Sequence, residues 1–150
     1  MKYMRYEMIT KQQTLEFIYE LSQKTEVMLD VSCGEVQFNR VSSDEYLYTT
    51  FSELPTLESA ITKCIKENME AIEAMGIKEI PFDIDMLEVG QTYRVVYSNY
   101  WDELEEFTSK LIDIEYDKHT NYKLFEFSND SIINQGHIEE IYKVNEYANV

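Results

Sequence analysis

The stretch PTLESAITKCIKENMEAIEAMG, residues 55–76, fits one secondary structure only. Leu57, Ala60, Ile61, Cys64, Ile65, Ile72 and Met75 recur at helical spacing, Pro55 and Thr56 suit a helix start, and Gly76 stands where a left-handed C-cap residue belongs. Ile77 is placed to fold back onto Ile72 in the apolar contact that accompanies such a cap. The runs before this helix say what its stripe packs on. TEVMLDVSC, EVQFNRV and EYLYTTF alternate with period two, so that Val27, Leu29, Val31 and Cys33 share one face while Glu26, Met28, Asp30 and Ser32 share the other. Val36 and Phe38 repeat the pattern, Gly34 permits a tight turn, and residues 42–45 read as a second turn. An earlier helix over 11–24 is capped by Thr10, with Leu15, Ile18, Tyr19 and Ser22 on one face and Leu21 beside them. Residues 10–76 therefore read α-β-β-β-α, one face of an antiparallel sheet lying under two helices.

Periodicity lapses over 77–91, where Pro81 and Gly90 punctuate the chain. Beyond it TYRVVYS, KLIDIEY, YKLFEF, SII and EIYKV are short strands; in the second, Ile112, Ile114 and Tyr116 face one way and Asp113 and Glu115 the other. The expected fold is α+β: an N-terminal α-β-β-β-α unit over 1–79, a linker over 80–91, and a small antiparallel five-stranded SH3-like or Sm-like barrel over 92–150. The first two barrel strands are joined by SNYWDELEEF, residues 98–107, which holds the only tryptophan. A short helix over 99–107, capped by Ser98 or Asn99, puts Tyr100, Trp101, Leu104 and Phe107 on one side and Asp102, Glu103, Glu105 and Glu106 on the other. Trp101 is then expected to plug the barrel end.

Charge narrows the function. The 29 Asp and Glu against 13 Lys and Arg give a formal net charge of -16, which steers basic partners toward the chain and disfavours direct binding of nucleic acid. The 44% apolar content is that of a globular protein. Cys33 and Cys64 have neither the number nor the spacing of a disulfide framework or zinc site and read as buried thiols of a reducing compartment. MKYMRYEMITKQQ has no signal-peptide core, and no later run reaches the ~20 apolar residues of a membrane span, so a cytoplasmic protein without a membrane partner is expected.

Enzyme chemistry finds little foothold. Four glycines leave no phosphate-cradling loop or dinucleotide fingerprint. His119 and His137 fall in turns outside any metal-spaced pattern and read as solvated. FDIDMLE gathers Asp83, Asp85 and Glu88, but Leu87 stands where a calcium loop needs an oxygen ligand and no glycine follows, so the segment reads as a solvated linker. No cofactor, no metal and no catalytic residue is expected.

The acid is unevenly spread. Residues 1–70 hold 12 acidic and 7 basic side chains, a net of -5, and the remainder 17 and 6, a net of -11. Asp113, Glu115 and Asp117 alternate at intervals of about 6.7 Å along one strand and its exit. With Asp102, Glu103, Glu105, Glu106 and Glu126 they form an acidic block interrupted by Lys110 and Lys118. Duplex DNA carries a charge about every 1.7 Å of axis, so an imitator needs such a cluster. Glu67, Glu70 and Glu73 add acid late in the second helix, with Lys63 and Lys66 in i,i+4 relation to Glu67 and Glu70.

The α-β-β-β-α order followed by further acidic structure resembles the small acidic phage-encoded inhibitors of the anti-CRISPR and anti-restriction DNA-mimic type, some of which occupy the DNA-binding cleft of a CRISPR nuclease. The double-stranded-RNA-binding domain has a similar element order, but LPTLESAITK offers Glu58 where that family places lysine. The first resemblance implies a phage or mobile-element inhibitor and carries no site residue with it; the net charge and the acidic block are what point to a non-enzymatic inhibitor or regulator of a basic, DNA- or RNA-handling protein, with that block as its contact surface. The alternative is a general interaction module in which Tyr97, Tyr100 and Trp101 line an aromatic groove on an SH3-like barrel.

Overall fold

Helix α1 (Lys11–Lys24) begins where Thr10 was expected to cap it. Thr10 Oγ1 accepts the Gln13 N–H at 3.1 Å and Gln13 Oε1 accepts the Thr10 N–H at 3.0 Å, a reciprocal capping box. The computed structural model describes residues 9–24, 27–32, 35–40, 48–51 and 56–146. The buried face of α1 is Gln13, Thr14, Phe17 and Leu21. Leu15 and Tyr19, expected on that face, are 62% and 67% exposed. The reason is tertiary: Gln13 Nε2 donates to the Ile141 carbonyl at 2.7 Å, so a polar residue turns inward where a backbone acceptor awaits it.

Strands β1 (Val27–Ser32), β2 (Glu35–Arg40) and β3 (Tyr48–Phe51) form an antiparallel sheet in that order, with Val31 opposite Val36 and Val36 opposite Phe51. Cys33, Gly34, the turn at 42–45 and Pro55 lie outside the described residues. Helix α2 (Leu57–Glu67) packs on β2 and β3 and starts at Thr56, whose Oγ1 accepts the Ser59 N–H. The single long helix expected to reach Met75 is interrupted at Asn68, and α3 (Met69–Ala74) continues after it. Both the backbone N–H and the side-chain amide of Asn68 donate to the Cys64 carbonyl, at 3.0 and 2.9 Å, so a side chain competes with the helical ladder. Gly76 takes the expected left-handed conformation, φ 79°.

The second sheet has six antiparallel strands ordered β4-β9-β5-β6-β7-β8: β4 (Glu79–Phe82), β5 (Thr92–Ser98), β6 (Leu104–Tyr116), β7 (Lys123–Phe127), β8 (Ile132–Asn134) and β9 (Ile138–Val144). Every strand expected over 92–150 is present. The closed five-stranded barrel is not: β4, which runs from the last residue of the expected first unit into the segment read as a linker, pairs along the outer side of β9, and the sheet stays open with β4 and β8 as its edges. Pro81 sits on that edge strand, where its missing N–H costs no central ladder bond.

The helix expected over 99–107 is also replaced. Residues 99–103 close a hairpin between β5 and β6, and β6 extends back to Leu104. A bulge between Leu111 and Asp113 then shifts the pairing with β7, so Leu111 is buried, Ile112 exposed and Ile114 half-buried instead of Ile112 and Ile114 sharing one face. One apolar cluster runs from Phe17 and Leu21 through Ile61, Ile65 and Ile72 to Ile80, Val95, Phe125 and Phe127. Tyr97, Phe107 and Phe127 extend it as a chain of tilted rings 5.7 and 4.9 Å apart. No helix among the described residues is long and apolar enough to cross a membrane.

Trp101 does not join that chain; it is 80% exposed, and Leu104 is exposed with it. Phe127→Ala is therefore expected to lower stability by about 3–5 kcal/mol, and Trp101→Ala by less than about 0.5 kcal/mol. Urea denaturation of the two variants checks this, and comparable losses would return Trp101 to the core.

Candidate protein-interaction site

The hairpin tip is built by Asn99. Its Oδ1 accepts the N–H groups of Trp101 at 2.9 Å and Glu103 at 3.0 Å, while its own N–H donates to the Glu103 carbonyl at 2.9 Å. Asp102 supplies the left-handed residue that the reversal needs, φ 58°, a conformation Asp tolerates better than bulkier residues. Four hydrogen bonds between Asn99 and residues 101–103, counting Asp102 N–H to its carbonyl at 3.1 Å, thus hold a turn that turns Tyr100 and Trp101 outward. Tyr100 is 99% exposed. An Asn opening a turn and an Asp three residues later were the local signal for this hairpin; the coincident helical spacing of Tyr100, Trp101, Leu104 and Phe107 concealed it.

The eight acids proposed as a contact block divide by strand face. Asp102 and Glu103 are exposed at the tip. Glu105 pairs across the hairpin with Tyr97, on the face that continues into the core, and accepts from Tyr97 Oη at 2.8 Å and Asn99 Nδ2 at 3.2 Å. The bond to Glu105 holds the Tyr97 phenol above its ordinary pKa. Glu106 is on the opposite face, in an ion pair with Arg94 at 2.8 Å. Asp113 stands directly opposite Glu126, and Glu115 opposite Leu124, on the bulged half of β6. Asp117 closes the following turn by accepting the His119 N–H at 2.9 Å, and that bond lowers its pKa. Glu105 and Asp113 are eight residues apart on one strand, roughly 25 Å. The tip acids and the Asp113, Glu115 and Glu126 group are therefore two patches, separated by the paired Glu106 and by Lys110.

Arg94 organises the face outside the core. Its Nε meets Glu79 Oε2 at 2.6 Å, its Nη1 meets Glu106, and its Cζ lies 4.2 Å from the centre of the Tyr142 ring, so one side chain spans β4, β9, β5 and β6. Burial works against the charged guanidinium, yet the bond and charge of Glu79, with Glu106, raise its pKa on balance.

Two cavities accompany these surfaces. A groove of about 330 Å³ lies between the hairpin and the β8 end, lined by Tyr97, Tyr100, Ile132, Ile133 and His137 among others. Sequence spacing could not reveal it, because β8 and the 3₁₀ turn at Gln135–His137 lie more than 30 residues from Tyr97. His137 is exposed in that turn, as expected, and is also one of the groove's walls. A second cavity of about 470 Å³ lies beside α3, bordered by Lys66, Met69, Phe82, Tyr93 and Lys143. Next to it Asp83, expected in a solvated linker, is buried. Lys66 Nζ is 3.1 Å from Asp83 Oδ2, but neither carboxylate oxygen accepts a well-formed hydrogen bond. Burial pushes the Asp83 pKa up and Lys66 offsets this only in part. Among the described residues no group of three or more His, Cys, Asp or Glu is placed to hold a metal ion.

No protein-family model, no curated protein and no solved structure matches the chain. The site thus rests on its own geometry.

A carboxyl group with a raised pKa in the folded state binds its proton more tightly there than in the unfolded chain. The fold loses stability as pH rises from the ordinary carboxylate range through the raised value. Asp83→Asn is therefore expected to raise the melting temperature relative to the parent at pH 7, with the gain shrinking as pH falls toward 4. Paired thermal melts across that range check it, and a gain that grew on acidification would reverse the sign assigned to Asp83.

Proposed function

We propose that this protein is a non-enzymatic, acidic binding protein that docks on a basic surface of a DNA- or RNA-handling protein through the β5–β6 hairpin. The observation that carries this reading is the pair Tyr100 and Trp101, exposed on a hydrogen-bonded tip where the core makes no use of them. Aromatic side chains give large contact areas at low entropic cost, and they recur among the residues that dominate binding energy. Asp102 and Glu103 flank them, and among the described residues neither forms an ion pair. A basic partner supplies the complementary charge and is steered in by the net charge of -16.

Proteins that neutralise phosphates carry basic surfaces of this kind. Occupying one competes with nucleic acid, which makes the protein an inhibitor or regulator, as the resemblance to phage-encoded anti-defence proteins implies. The Asp113 and Glu126 pair supports a mimic of the nucleic-acid backbone as the form of that inhibition. Like charges directly opposite on neighbouring strands cost stability, and a surface contact gives a reason for keeping them.

A second reading, a general peptide-binding module, draws on the groove beside Tyr97 and on the β5-to-β9 succession, which we read as SH3-like with its 3₁₀ turn before the last strand. Salt separates the two. On the first reading, bait carrying Asp102→Lys and Glu103→Lys, or Trp101→Ala, loses the partner that the parent chain captures. Capture also weakens steeply between low and high salt, and the captured protein stops binding DNA or RNA in the complex. Unchanged capture by the charge-reversed bait, with no salt response, would favour the peptide module.

A further inference from the structure

We infer that the groove between the β5–β6 hairpin and β8 receives an arginine side chain of the partner, with its guanidinium held against Glu105. The inference rests on the reading of this protein as one that docks on a basic partner, and it names the chemistry by which the partner is recognised.

The groove, at about 330 Å³, is of the size that takes a small ligand or a single large side chain. Tyr97 and Tyr100 provide aromatic walls, Ile133 a buried apolar floor, and Ile132 an exposed apolar shoulder. No lysine or arginine lines it. Glu105 is the exposed cross-strand neighbour of Tyr97 and is bonded by two of the residues that line the groove, Tyr97 and Asn99. Tyr97 Oη and Asn99 Nδ2 each hold one of its two carboxylate oxygens, which fixes the orientation of the group while leaving lone pairs on both oxygens. A carboxylate so placed repels an anion and leaves an apolar slot without a charge partner.

Arginine matches all three features. Its methylene stem covers apolar surface such as Ile132 while the head stays polar. Its planar guanidinium stacks on aromatic rings, and its forked donors meet a carboxylate in two parallel bonds. Lysine offers the charge without the plane or the fork.

The test titrates the isotopically labelled full chain with the blocked tripeptide Ac-Gly-Arg-Gly-NH2 and with its lysine and citrulline counterparts, following backbone amide signals. The arginine peptide is expected to shift the amides of Tyr97, Asn99, Ile133 and His137 together. The citrulline peptide, equal in shape and uncharged, binds at least about tenfold more weakly. Glu105→Gln keeps an acceptor for Tyr97 and a dispersed spectrum but loses the arginine preference. Three results overturn the inference: equal binding of the citrulline peptide, equal binding of the lysine peptide, or arginine binding undiminished in Glu105→Gln. Groove amides that stay still with every peptide also overturn it, and the bait experiment then tells the two failures apart. If charge-reversed bait still loses its partner, docking stands without the arginine pocket; if it captures as the parent does, docking fails as well.

Discussion

The C-terminal strand β9 is the member on which the rest of the molecule depends. It lies between β4 and β5, so it joins a strand from the middle of the chain to the hairpin that carries the candidate site. The same strand fastens the helices to the sheet. Lys143 Nζ meets Glu73 Oε1 of α3 at 2.6 Å, and just past the strand the buried Asn145 side chain donates to the carbonyls of Glu73 and Ile77. Those carbonyls belong to a helix end and the turn after it, where the regular helical donors run out; that of Glu73 also accepts the Gly76 N–H at 3.1 Å. Gln13 reaches the Ile141 carbonyl from the other side, and Tyr142 Oη bonds Glu16 of α1. Removing β9 would therefore release the sheet edge and two helices together.

Built on this frame, the β5–β6 hairpin divides its aromatic residues between two tasks. Tyr97 and Phe107 turn toward Phe127 and extend the core, whereas Tyr100 and Trp101 project from the tip. Asn99 enforces the division, because a turn closed by its side chain and backbone leaves the intervening residues no route inward. The groove follows from the same geometry. It exists because β8, at one edge of the open sheet, ends beside the hairpin, and the 3₁₀ turn that leads into β9 closes the gap.

The negative charge is managed unevenly. Where acids approach the body of the sheet they are compensated: Glu79 and Glu106 by Arg94, Glu73 by Lys143, Asp83 in part by Lys66. At the hairpin tip and on the bulged half of β6 they are not compensated among the described residues. Surface ion pairs contribute little stability in water, so pairing at the sheet and its absence at the tip is a difference of field rather than of fold strength. That field is what a basic partner meets first.

The sequence by itself determined what depends on local spacing and chain stiffness. Helix α1 with its Thr10 cap, the period-two strands, the start of α2 and the left-handed Gly76 were legible because caps, turns and alternation act over a few residues. Tertiary structure decided what depends on partners distant in the chain. The inward face of α1 was set by a carbonyl at Ile141, the strand at Glu79–Phe82 by the free edge of β9, and the burial of Asp83 by packing beside Lys66. SNYWDELEEF shows the boundary most clearly, for its spacing satisfied a helix and a hairpin alike. Six cross-strand pairs beyond Ser98 and Leu104, from Tyr97 with Glu105 back to Thr92 with Lys110, tipped the balance. A strand gains its hydrogen bonds only from a neighbour, and no local pattern counts that neighbour in advance.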